Sequence, residues 1–132
     1  LSQMTRLDVF VAKRHSIARR YDESLADLPL RTPWQHADCY SSYHLYPIRL
    51  DLSESGQTQR HIYGRLHAAG IGVNLHYIPV YRQPYYEAMG FKHGYCPEAE
   101  RYYREALSIP LYPTLCEADQ EKVVRVLHEV LA

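Results

Sequence analysis

The apolar residues of this chain change their spacing along its length, and that change limits the folds open to it more than any single motif. From Met4 to Leu28 they recur at three- and four-residue steps (Leu7, Phe10, Ile17, Tyr21, Leu25, Leu28), with RR and KR pairs between them. This spacing predicts a long amphipathic helix, stopped by Pro29 and Pro33. In Val73 to Val80 the period becomes two: Val73, Leu75 and Tyr77 alternate with Asn74 and His76, which predicts a strand with a core face and a free face. A chain that switches between the two periods must pack helices on a sheet.

Other segments fill in the order. After a loop rich in Pro, His, Asp and Ser (PLRTPWQHADCYSS), YHLYPIRLD reads as a strand. Pro47 has no amide donor and so belongs at an edge or a bulge. Ser53 to Ala69 reads as a helix with Ile62, Leu66 and Ala69 on one face, closed by Gly70 in the left-handed conformation. Pro84 opens a short helix ended by Gly90, and Pro97 with Glu98 and Glu100 opens another running to about Leu107. SIPLYP is a short extended segment. In the final helix Val123, Val124, Leu127, Val130 and Leu131 keep helical spacing. Thr114 and Cys116 compete for its N-cap, with Thr114 and Glu117 at capping-box spacing.

The 132 residues fit one α/β domain with a small sheet and packed helices. Fifteen basic side chains balance fifteen acidic ones, so the electrostatic footprint of phosphate-backbone binding is missing and nucleic acid is not an expected partner. No apolar run approaches the roughly 20 residues that span a bilayer. Cys39, Cys96 and Cys116 are odd in number and widely spaced, which favours a reducing, cytoplasmic setting over a disulfide framework. The opening LSQM lacks an initiator Met and reads as if entered partway through a helix, which is expected of a fragment.

Two constellations carry chemistry. Alternation puts His76 on the free face near a strand end, where sites gather, and Tyr77, Tyr81, Tyr85 and Tyr86 follow it closely. These rings suit interface packing, or stacking on a base or sugar. The other is a pair of H-x-x-C segments, His36 to Cys39 and His93 to Cys96, which together would supply four zinc ligands, although the spacing matches no common zinc pattern. Neither a nucleophile elbow nor a glycine-rich phosphate loop occurs. The charge runs RRYDE and EAERYYRE read as solvated helix faces.

GIGVNLHYIPVYRQPYY, then EAERYYREALSIPLYPTL, then EADQEKVVRVLHEVL resemble the C-terminal region of the DegT/DnrJ/EryC1/StrS sugar aminotransferases. The likeness extends to LSQMTRLDVFVAKRHSIARRYDESL, similar to the long helix after the family's large domain, and to SYHLYPIRL, similar to its first small-domain strand. The resemblance implies the small C-terminal domain of a fold type I enzyme dependent on pyridoxal 5'-phosphate, with a mostly antiparallel sheet. The linking helix would occupy 3–28 and the α/β part 40–132. His76 and Tyr77 match the family's H-[YF] pair, and Gln83, Pro84, Tyr85 and Tyr86 its Q-P-Y-Y, while at Tyr81 many relatives have histidine.

By the same resemblance, His76, Tyr77, Tyr81, Gln83, Tyr85 and Tyr86 would contact substrate. The reaction would move an amino group from a donor, usually glutamate, to C4 of a UDP-linked 4-keto-6-deoxy sugar, in a homodimer. None of Lys13, Lys92 and Lys122 lies in the family's S-x-H-x-x-K context for the cofactor-binding lysine, so the chain alone would be inactive. A non-catalytic module that binds a nucleotide sugar and a small zinc-ordered domain are the alternatives from other classes.

Overall fold

A computed structural model of the chain describes residues 4–53 and 56–131. A 3-10 turn at Met4–Arg6 leads into α1 (Leu7–Ser24). The expected start of the linking helix at Gln3, and Glu54 and Ser55 of the expected second helix, lie outside the described residues. Only the C-terminal part of α1 carries core residues, with Ile17, Ala18 and Tyr21 buried, followed by Leu25 and Leu28 beyond its end. Leu7 and Val9 are exposed, so the apolar stripe read from Leu7 onward is a core face only in its second half.

Among the described residues the sheet has four strands in the order β1 (Leu30–Arg31), β2 (Tyr46–Leu50), β4 (Ala106–Ile109) and β3 (Asn74–Leu75), and every pairing is antiparallel. β1 falls in the segment read as loop: Leu30 pairs with Leu50 and Arg31 with Arg49. β2 is therefore interior, contrary to the edge placement. Pro47 is tolerated because β1 reaches only Arg49 and Leu50, so the flank of Pro47 opposite β4 carries no strand partner among the described residues. Tyr46, Ile48 and Leu50 of β2 and Leu107 and Ile109 of β4 point into one core with α1, α2 (Gln59–Ala68) and α5 (Glu117–Leu131). α4 (Pro97–Glu105) lies on the other face, where Tyr102 and Glu105 meet Arg49 of β2.

Boundaries differ from the sequence reading for local reasons. α2 begins at Gln59 rather than Ser53, because Asp51 holds Ser53 in a turn (Ser53 N to Oδ1 3.2 Å) and Thr58 caps the helix by accepting the His61 amide at 3.2 Å. It closes as expected on Gly70, whose φ is +76°. α4 stops at Glu105 instead of Leu107 because Ala106 and Leu107 are already paired with Arg49 and Ile48. α5 starts at Glu117, which leaves Cys116 just ahead of it, its thiol donating to Asp119 at 3.1 Å. The RRYDE run is not wholly solvated: Tyr21 is buried and donates to the Pro110 carbonyl at 2.9 Å, and Asp22 accepts the Tyr46 hydroxyl at 2.5 Å.

Candidate functional site

The face of the sheet turned away from the main core is built by register. β3 sets Asn74 opposite Ser108 and Leu75 opposite Leu107, so alternation sends Asn74, His76 and Ser108 to one side, as expected. The predicted strand from Val73 to Val80 is cut to Asn74–Leu75. Leu75 is half exposed on this edge strand, and Tyr77, read as core-facing, is 92% exposed because the chain has left the sheet before reaching it.

His76 is placed by two neighbours. Its Nε2 lies 2.9 Å from the hydroxyl of the buried Ser108, and its ring meets Tyr102 edge-on with centroids 5.4 Å apart. Arg49 stands over the opposite part of this group, its guanidinium 5.8 Å from the Tyr102 ring and its Nη2 2.6 Å from Glu105. Partial burial holds the His76 imidazole below its ordinary range, which favours the neutral ring. A neutral imidazole bonded through Nε2 keeps Nδ1 as a second donor or acceptor.

The tyrosines form a separate group. A 3-10 turn at Val80–Arg82 leads into α3 (Pro84–Ala88), which has Pro84 at its first position and backbone bonds from Tyr86 and Glu87 back to the Gln83 carbonyl. Tyr85 and Tyr86 meet edge-on at 5.3 Å, Tyr86 and Phe91 at 6.3 Å, and Phe91 and Tyr95 at 5.0 Å, while Tyr95 and Tyr81 are tilted to each other at 5.6 Å. Five rings thus run continuously, and the structure joins Tyr81, Tyr85 and Tyr86 through Phe91 and Tyr95, which the sequence did not single out. Gln83 exposes its side chain beside them, whereas His76 has its own ring partner in Tyr102.

Sequence reasoning also missed Glu100. In the EAERYYRE run, read as solvated, this side chain is almost fully enclosed, with the residue 2% exposed. It accepts the Tyr81 hydroxyl and the Gly94 amide (2.7 Å), and His93 Nε2 is 3.1 Å away. Those bonds hold its carboxyl below the usual carboxylate range, the Tyr81 bond most, while desolvation and then the carboxylate push the Tyr81 phenol up. Its place in the first turn of α4 gave no local signal, since Glu98 stands in the same turn and is exposed. Ser108 had a plain signal, a lone hydroxyl inside the apolar run ALSIPL.

A cleft of about 470 Å³ opens at the end of the sheet, where Gly70, Asn74, Ser108, Asp119 and Lys122 meet His44. Here a lysine and an aspartate approach a ring-sized space, and the cleft does not fit pyridoxal 5'-phosphate. That cofactor needs a lysine at one end of its ring and an acid at the nitrogen opposite. Asp119 and Lys122 sit three residues apart on one face of α5, side by side rather than across a ring. Lys13, Lys92 and Lys122 are all exposed. The H-x-x-C pairs do not assemble either: His36 turns back on Asp38, His93 is bound to Glu100, and among the described residues no group of three or more His, Cys, Asp or Glu could hold a metal. No helix among them is long and apolar enough to cross a membrane.

Comparison with known proteins matches nearly all of the chain. The model of the DegT/DnrJ/EryC1/StrS aminotransferase family matches residues 1–128. The spore coat polysaccharide biosynthesis protein SpsC of Bacillus subtilis (strain 168) is 34% identical over 134 aligned positions, which cover 99% of this chain and 34% of SpsC. Among solved structures, the aminotransferase TlmJ from Streptoalloteichus hindustanus superposes with a TM-score of 0.85 at 32% identity, over 98% of this chain and 34% of TlmJ. Helicobacter pylori PseC, an aminotransferase involved in the biosynthesis of pseudoaminic acid, superposes with a TM-score of 0.88 at 25% identity, over 99% of this chain and 35% of PseC. The chain thus spans about a third of the length of each relative. With its antiparallel sheet, packed helices and tyrosine-lined edge, it belongs to the DegT/DnrJ/EryC1/StrS aminotransferase family.

Proposed function

We propose that residues 1–132 form the C-terminal small domain of a sugar aminotransferase, and that its edge beyond β3 is a wall of the substrate site. The observation that carries this reading is the family match over residues 1–128. In the intact enzyme pyridoxal 5'-phosphate supplies the amine-transfer chemistry, bound mainly by residues outside this chain. The lysines present here take no part.

This chain's share is positioning. Neutral His76, held through Nε2 by Ser108, turns Nδ1 toward a hydroxyl or carbonyl of the substrate. Tyr85 and Tyr86 offer ring faces and phenol groups to a sugar or a base, Tyr81, whose hydroxyl is taken by Glu100, offers only its ring, and Tyr77 and Gln83 are exposed close by in the chain. Such surface suits a nucleotide-linked keto sugar, a UDP-linked 4-keto-6-deoxy sugar aminated at C4 with glutamate as donor. The exposed rings also suit the subunit boundary of a homodimer.

The test is His76→Ala in the enzyme that carries this chain, reading turnover and nucleotide-sugar affinity together. Loss of one hydrogen bond to a bound sugar should weaken affinity by about tenfold. Unchanged turnover and unchanged affinity would remove His76 from the site.

A further inference from the structure

We infer that Glu100 is the positioning residue of the tyrosine wall: its carboxylate clasps Tyr81 and the loop between α3 and α4, and so fixes the row of rings that this loop completes. Three parts of the chain meet on it. Tyr81 comes from the 3-10 turn, Gly94 and His93 from the loop, and Glu100 itself from the first turn of α4. The same phenol oxygen lies 3.3 Å from the Cys96 carbonyl and 3.4 Å from the Cys96 amide, so the clasp also pins the loop's far end. Phe91 and Tyr95, the two rings that connect Tyr81 to Tyr86, lie on this loop. No regular strand or helix holds the six residues from Phe91 to Cys96. A buried carboxylate that accepts bonds from both flanks is what can order them.

The charged and titratable groups around Glu100 are Tyr81, His93 and Arg82, and Cys96 faces Tyr81. Its ionised form is the one stabilised, with the Tyr81 bond foremost and the Gly94 amide next. The stabilisation is therefore complete above the unfolded carboxylate's range and is lost only as pH falls through the lower folded value. A carboxyl group that served only as packing would show no such dependence.

The link to carbohydrate binding rests on the proposed function; the clasp does not. Glu100→Gln keeps the shape and removes the charge. Amide exchange is read across the chain, with β4 and α5 as the internal check that the variant is folded. Protection of the Gly94 amide should fall by about tenfold relative to wild type. In wild type that protection should drop at acid pH, and in Glu100→Gln the pH step should be absent. Tyr81→Phe, which retains the ring, should raise the pH of the step. Equal Gly94 protection in wild type and Glu100→Gln, with or without a shared pH step, would overturn the clasp. Titration with uridine diphosphate separates the two ideas: wild type that does not bind it, with the Gly94 effects intact, leaves the clasp standing and counts against the nucleotide-sugar reading alone.

Discussion

At the scale of a residue, His76 shows how one buried partner decides the use of a side chain. Ser108 is nearly inaccessible, and the imidazole that covers it is itself partly desolvated, which disfavours its charged form. A histidine whose folded pKa lies below its unfolded one binds fewer protons in the folded state. Its contribution to stability is therefore complete above about 6.5, the unfolded value, and is lost as pH falls through the folded value. NMR titration of the His76 ring should find a midpoint below that of free imidazole. Ser108→Ala should shift this midpoint, since it removes the hydrogen bond that Nε2 makes with the Ser108 hydroxyl. A His76 midpoint at or above the free value would mean that the ring is solvated.

Elements were legible where long-range contacts agree with local pattern. α5 carries its apolar residues at helical spacing and is buried along that face, and Gly70 closes α2 with a positive φ. Failures came where a neighbour outvoted the pattern. Alternation through Tyr77 predicts an eight-residue strand, yet β4 offers partners only to Asn74 and Leu75, so the ladder ends there. β1 has two residues and no periodicity to read; it exists because Leu50 and Arg49 lie opposite. In the candidate site, alternation was enough to place His76 on the face of Ser108, but it put Tyr77 on the core side, where the chain does not take it. Glu100 was not legible, because nothing local tells a solvated glutamate from one enclosed by a loop that folds back over it. The start of α2 gives a test at this scale. Thr58 supplies a side-chain cap, so Thr58→Ala should lower the stability of the chain by about 1 kcal/mol in chemical denaturation. Thr58→Asn should restore most of it. Equal stability of the alanine variant would place the helix start elsewhere.

For the molecule as a whole, apolar surface is distributed unevenly. The core of α1, α2, α5 and the sheet is closed, whereas Tyr77, Val80, Tyr85 and Met89 stand exposed together around the 3-10 turn and α3. Tyr85 and Met89 are four residues apart and thus neighbours on one helical side. Exposed apolar side chains favour burial over solvent, and the balanced charge of this chain offers no net repulsion to keep copies apart. The 132-residue chain should therefore self-associate, its weight-average mass in sedimentation equilibrium rising with concentration. Because the driving force is apolar burial, the association should persist in high salt, where surface ion pairs are screened. Tyr85→Ser combined with Met89→Ser removes the centre of the patch without touching the core, and should return the mass toward that of a monomer while thermal stability is unchanged. A wild-type mass that stays monomeric through the concentration series, or an association that salt abolishes, would assign these side chains to solvent and not to an interface.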